Sequence, residues 1–176
     1  IGNPNSQHWF GRQAVTAVDE ARDAVAALLG AKPNEIYFTS GGTESDNWAL
    51  RGAAHAYAHK GRHVVVSAVE HPAVLSAAKE LEKEGFAVSL APVDEYGRVD
   101  PQRLAELLRP DTTVVAVMAA NNEVGTLQPL AEISALCRAR GVLFFTDAVQ
   151  AAGALRLNVN DPPVDMLSLS GHKFYG

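Results

Sequence analysis

The chain has 176 residues, of which 47% are apolar, and carries a formal net charge of −5. That length suits one domain, and the apolar share is enough for a real core and too high for a disordered chain. The acidic balance, with no basic stripe, argues against a nucleic acid or an anionic membrane surface as partner. No apolar run approaches the ~18 residues of a membrane span, and no signal peptide is seen. The single cysteine, Cys137, excludes an internal disulfide and fits a cytosolic protein. The sequence opens on Ile1, and both ends read as cut from a longer protein.

In chain order, residues 1–11 are turn-rich and read as irregular. Ala14, Val18, Ala21, Val25 and Leu28 recur at helical spacing, predicting a helix over 13–29 that Gly30 stops. Residues 35–39 read as a short buried strand. Gly41-Gly42-Thr43 then leads into a helix to about His59. Residues 63–69 form a near-continuous apolar strand, and Pro72 opens a helix that ends at Lys83-Glu84-Gly85. A strand over 86–91 follows. Asp100 reads as an N-cap with Pro101 in the first turn, opening a helix to about Leu108. Further strands are predicted over 112–119, 142–146 and 164–170, with a helix over 130–140 between the first two. The alternation of helices with strands that are apolar on both faces predicts an α/β fold. Its architecture would be three-layer α/β/α around a mostly parallel, mixed sheet.

In a parallel sheet the residues just past the strand ends share one edge, and ligands bind there. Five polar clusters fall at such positions: Gly41-Gly42-Thr43, Glu70-His71, Asn121-Asn122-Glu123, Asp147 with Gln150, and Ser170 with His172 and Lys173. The two glycines let backbone approach a ligand, and the helix start beyond them offers free N–H groups to a phosphate. The alternative is a plain tight turn with Thr43 as N-cap. The stretch is neither a Walker A loop nor a G-x-G-x-x-G fingerprint.

Asp147 ends the apolar stretch Val-Leu-Phe-Phe-Thr, where a carboxylate is costly to bury without a facing cation. A protonated ring nitrogen would serve, as would a structural ion pair or a helix cap. Gln150 can donate to an oxygen of the same ligand. His71 offers an acid/base group and a flat ring. Asn122 offers an amide, or simply a turn. Lys173, just past a buried strand with small polar neighbours, suits a desolvated amine. Desolvation lowers a lysine from its free value near about 10.4 and favours Schiff-base chemistry. A lone lysine after a strand is ordinarily a surface residue, and only the company of the other clusters argues otherwise. Cys137 reads as a small core residue on a helix. His55, His59 and His63 read as a solvated helix end, with no metal set. A phosphate seat, a carboxylate for a ring nitrogen, a stacking ring and a Schiff-base lysine together form the kit for pyridoxal phosphate.

The stretches Asn3-Pro4-Asn5-Ser6 with His8, Thr39-Ser40-Gly41-Gly42-Thr43-Glu44-Ser45-Asp46-Asn47, Glu70-His71-Pro72-Ala73-Val74, Asn121-Asn122-Glu123-Val124-Gly125, Asp147-Ala148-Val149-Gln150 and Ser170-Gly171-His172-Lys173-Phe174-Tyr175-Gly176 resemble the cysteine desulfurases. These are class V aminotransferases among the fold-type I pyridoxal phosphate enzymes, and the resemblance runs through the whole chain in order. It implies that residues 1–176 are most of a large cofactor domain, with a first strand and a small C-terminal domain lying outside the sequence.

It implies Lys173 as the Schiff-base lysine and the base that moves the Cα proton. It implies Asp147 on the pyridine nitrogen, Gln150 on the phenolic oxygen, and His71 as stacking ring and acid/base. Gly42, Thr43, Ser170 and His172 would hold the phosphate, and Asn122 the substrate carboxylate or the ring oxygen. The implied reaction takes L-cysteine to L-alanine, leaving sulfur as a persulfide on an acceptor cysteine that is not Cys137, for iron-sulfur cluster or thio-cofactor assembly. A homodimer, a sulfur-acceptor or scaffold protein and a cytoplasmic location are implied for the intact protein. Two alternatives stay open: another class V member, such as an aminotransferase or a kynureninase-like lyase, and a non-catalytic scaffold module.

Overall fold

The computed structural model describes residues 2–6 and 8–175; Ile1, Gln7 and the Gly176 that closes the last motif lie outside them. Among these residues five strands form one sheet: β1 (His63–Ser67), β2 (Ala87–Ala91), β3 (Thr112–Ala116), β4 (Leu143–Asp147) and β5 (Met166–Ser168). Their spatial order is β2-β1-β3-β4-β5, and every ladder between them is parallel. Among the described residues this sheet holds no antiparallel strand, so the mixed character expected from sequence is not seen in it.

Among the described residues there are five α-helices: α1 (Trp9–Leu29) and α2 (Gly42–Ala56) precede the sheet, and α3 (Pro72–Lys83), α4 (Pro101–Leu107) and α5 (Leu130–Arg140) connect its first four strands. Successive side chains on a strand point to opposite faces, so one apolar strand feeds two cores. Val64 and Val66 of β1 pack with Leu50 of α2 and Val74 and Leu81 of α3. Val65, between them, packs on the other face with Leu104 of α4 and Ile133 and Cys137 of α5. The result is the three-layer arrangement. Cys137 sits in this second core, where burial pushes its thiol up to about 12, so the core reading holds.

Several boundaries follow the predicted signals. Gly30 ends α1 in the left-handed region at φ 66°, where a residue with a Cβ is disfavoured. Asp100 caps α4 through its carboxylate, which accepts the Gln102 N–H. Other boundaries depart from them. α1 starts at Trp9, inside the stretch expected to be irregular, because the His8 ring accepts the Gly11 N–H and caps the helix. α2 ends at Ala56, before His59, with Lys60 closing over the Tyr57 ring at 4.5 Å.

The strand expected over 35–39 is absent. Pro33–Glu35 form a 3₁₀ turn, and the residues after it pair with no described strand. Instead the Arg22 guanidinium bonds to the Ile36 carbonyl and lies over the Phe38 ring. His63 also departs from its reading as part of a solvated helix end. It opens β1, is fully buried, and is hydrogen-bonded by Thr112 Oγ1 at 2.7 Å and Ser89 Oγ at 2.9 Å. Burial holds its pKa down.

Candidate active site

All five strands end on one rim, and the polar clusters collect there. β4 delivers Asp147 to it, 4% exposed. One carboxylate oxygen, Oδ1, accepts the Val149 N–H at 2.8 Å. No lysine or arginine forms an ion pair with it among the described residues. Burial raises its pKa, and the nearby His71 pulls it back. Asp147 is therefore neither a helix cap nor half of a structural salt bridge. It is a buried carboxylate without a cationic side chain paired to it among the described residues.

Next to it lies the start of α2. The N-cap is Gly41, which has no side chain to cap with, rather than Thr43. The first N–H groups of α2 thus lack a side-chain acceptor among the described residues, and the helix dipole adds positive character there. A Cβ built on Gly41 would meet nothing within 4 Å, so the approach to this turn is open. A Cβ on Gly42 would come 3.0 Å from Val149 Cγ2 and 3.7 Å from the Ser170 Cβ. Gly42 is thereby wedged between the turn after β4 and Ser170, two residues past β5. Ser170 is buried and its hydroxyl lies 2.8 Å from His172 Nδ1. Thr43 is exposed at the same helix start. Glu44 directs its charge away: Ser40 supplies both its N–H and its O–H to one carboxylate oxygen, which holds the Glu44 carboxyl below its usual range.

His71 is half-buried and caps α3, its Nδ1 accepting the Ala73 N–H at 3.2 Å. Its position is fixed from behind by Glu70. One Glu70 oxygen accepts both the Ser67 hydroxyl and the Met118 N–H, which ties the end of β1 to the segment past β3. In the Asn121-Asn122 pair it is Asn121 that builds the turn, donating to the Val69 carbonyl and accepting the Glu123 and Val124 N–H groups. Asn122 is exposed. Gln150 is half-buried on the turn after β4.

Lys173 closes the 3₁₀ turn Gly171–Lys173. Its side chain is exposed, which corrects the expectation of an amine desolvated by its neighbours. The turn projects it past the end of β5 rather than into the core. The turn itself is well anchored. Phe174 packs on Gly153, where an added Cβ would lie 2.4 Å from the Phe174 Cβ, and Gly153 holds φ at +80°. The lysine-bearing turn is thus pinned to the same segment that follows Asp147.

Asp46 joins this site although the predicted clusters did not include it as a functional group. It is 1% exposed and accepts a hydrogen bond from the Ser168 hydroxyl of β5. Burial, and then the Asp147 charge, raise its pKa to about 7. The signal was present in the spacing. Asp46 shares the buried stripe of α2 with Leu50, Ala53 and Ala54, so a carboxylate stands where an apolar residue is the rule.

The residues fit a phosphorylated cationic ring. The open helix start with Ser170 and His172 suits the phosphate, and Asp147 suits a protonated ring nitrogen. Comparison with known proteins agrees. The family profile described as aminotransferase class-V matches residues 1–176. A cysteine desulfurase IscS from Dictyoglomus turgidum is 50% identical over 176 residues, covering 100% of this chain and 45% of that protein. A solved NifS-like protein superposes with a TM-score of 0.96 at 41% identity, covering 99% of this chain and 48% of the other. A solved SspA in complex with cysteine gives a TM-score of 0.95 at 39% identity, covering 100% of this chain and 51% of the other. The chain thus spans about half the length of the relatives it matches.

Proposed function

This chain belongs to the class-V aminotransferase family, and from that premise we propose that it forms the cofactor-binding part of a cysteine desulfurase. The family's cofactor is pyridoxal phosphate. When bound, that group supplies an electron sink for the bonds around the substrate Cα. The chain's own residues do the rest. The start of α2 with Gly42 and Thr43, together with Ser170 and His172, binds the phosphate. Asp147 holds a proton on the ring nitrogen. Gln150 and Asn122 donate hydrogen bonds to ring or substrate oxygens. His71 would cover the ring face and serve as an acid/base group. Lys173 Nζ would hold the cofactor's aldehyde carbon and would be the group placed to take and return the substrate Cα proton.

The substrate is L-cysteine and the products are L-alanine and a persulfide on an acceptor thiol. Cys137 is not that acceptor, since it is 1% exposed in the core and its thiolate is disfavoured there. The reading includes a homodimer, a sulfur-acceptor or scaffold protein and a role in iron-sulfur or thio-cofactor assembly. A single buried thiol supports a reducing, cytosolic setting.

The observation that carries the proposal is the buried Asp147, without an ion-pair partner among the described residues, on the rim where Gly42 is wedged against Ser170. The intact protein should turn yellow with pyridoxal phosphate, and Lys173→Ala should abolish the absorbance. With L-cysteine and a reductant it should release alanine and sulfide in equal amounts. Transamination of a keto acid with no sulfide from cysteine would overturn the assignment.

A further inference from the structure

Among the described residues three carboxyl groups are buried at the rim, and the proposed function uses only Asp147. Asp46 and Glu70 are 1% and 5% exposed. No lysine or arginine pairs with any of the three among the described residues. Asp46 and Glu70 are each bonded across the fold. Asp46 ties α2, which carries the phosphate seat, to Ser168 of β5, the strand leading to Lys173. Glu70 ties Ser67 of β1 to Met118 beyond β3, and so holds the turn bearing His71. All the donors to Glu70 converge on Oε1. Its Oε2 is buried with no partner among the described residues. A buried ionised oxygen with no donor is strongly disfavoured.

Resting on the functional reading above, we propose that Glu70 and Asp46 are positioning residues that work as neutral, proton-bearing acids, bracing the rim while leaving its negative charge on Asp147, opposite the cofactor's ring nitrogen. The groups facing Asp46 are Ser168 from β5 and Asp147 from β4. Those facing Glu70 are Ser67, the Met118 N–H, Asp147 and Asp46, while His71 acts on Asp147. None of these is a fixed cation. Burial is the leading cause at both residues, pushing Glu70 up to about 8 and Asp46 up to about 7. A neutral acid keeps its acceptor oxygen for Ser67, Met118 or Ser168 without adding a second anion beside Asp147. An amide of the same shape should therefore replace either group, whereas alanine should not.

Infrared spectroscopy of the intact, cofactor-free protein reads the acids directly. At pH 6 it should show at least two carbonyl stretches of buried protonated carboxyl groups. Glu70→Gln should remove one and Asp46→Asn another. In the wild type, raising the pH to 9 should erase both, Asp46 first. Cofactor affinity, followed by absorbance, should stay within about threefold of wild type in the two amide variants. It should fall about tenfold, equivalent to ~1.4 kcal/mol, in Glu70→Ala and Asp46→Ala. A wild type with no protonated-acid band at pH 6, or amide variants as weak as the alanine ones, would overturn the inference. The wild-type titration decides even where a variant does not fold. Acid bands in a protein that takes up no pyridoxal phosphate would overturn the functional reading instead.

Discussion

The sheet is not uniform from one edge to the other. Strands β1, β3 and β4 are covered on both faces, and Val64, Val65, Val66, Val114, Val115 and Phe145 are all fully buried. Toward β5 the packing thins. That strand is three residues long and only partly buried. Beside it, α1 buries little more than Gly11, Ala26 and Leu29, and Tyr37, Phe38 and Trp48 are exposed. The candidate site straddles this divide. Asp147, His71 and Glu70 stand on the firmly packed side. Ser170, His172 and Lys173 stand on the thinner one, held by Asp46–Ser168, by Gly42 against Ser170 and by Phe174 on Gly153. The carboxylate proposed to position the ring and the lysine proposed to react are therefore supported by different amounts of core.

The largest effect should come from the packed side. Phe145→Ala removes a fully buried ring from the core shared by α2, α3, β1 and β3. It should cost about 3–5 kcal/mol, read as a lower urea midpoint with an unchanged slope. A loss below 1 kcal/mol would mean that the centre is no better packed than the edge.

The lysine turn should respond more modestly and more locally. Gly153→Ala places a Cβ at φ +80° and 2.4 Å from the Phe174 Cβ. The backbone strain alone is worth about 1–3 kcal/mol, and Phe174 must move. The turn carrying Lys173 should shift, so cofactor retention should fall further than global stability does. If the two fall in step, the turn is not a separately anchored unit.

The packed side also has a characteristic pH response. Glu70 titrates at about 8 in the fold and near 4.5 when exposed, because burial disfavours its charge. The folded state therefore holds a proton that the unfolded state has already lost. Its contribution to stability is fully present below about pH 4.5 and is lost as the pH rises through about 8. Over that window the unfolding free energy should drop by about 1.4 kcal/mol per pH unit for this one proton. Glu70→Gln should remove one proton's worth of that slope and leave the protein the more stable at pH 8. An identical slope in both proteins would show that Glu70 is already ionised at neutral pH.

The same divide separates what the sequence made legible from what it did not. The central strands announce themselves as apolar runs because both faces are covered, and their polar ends mark the rim. Asp147, His71 and Ser170 could be placed by that logic. Asp46 was hidden because its role lies in a long-range bond to Ser168, 122 positions away, which local spacing hints at but does not name. The exposure of Lys173 and the loss of the strand over 35–39 share a cause. Local patterns predict an element, but a strand needs a paired neighbour and an amine needs a cover, and neither is encoded within the few residues concerned. His63 misled for the opposite reason. Its polarity suggests solvent, while partners on two neighbouring strands let it be buried.

The smallest effect belongs to the thin side and tests whether it is thin. Trp48 is 55% exposed and meets the Tyr37 ring edge-on at 5.5 Å. Such a pair contributes about 0.5–1.5 kcal/mol beyond the area it covers, at the lower end where solvent reaches both rings. Trp48→Ala should therefore lower stability by about 0.5 kcal/mol, against several for Phe145→Ala, and leave the pyridoxal phosphate absorbance unchanged. Urea unfolding of both variants under one set of conditions gives the ratio. A Trp48→Ala loss above about 2 kcal/mol is the size expected of a buried side chain. It would mean that in the intact protein this face of α2 is covered, and that the lysine side of the site is as firmly supported as the carboxylate side.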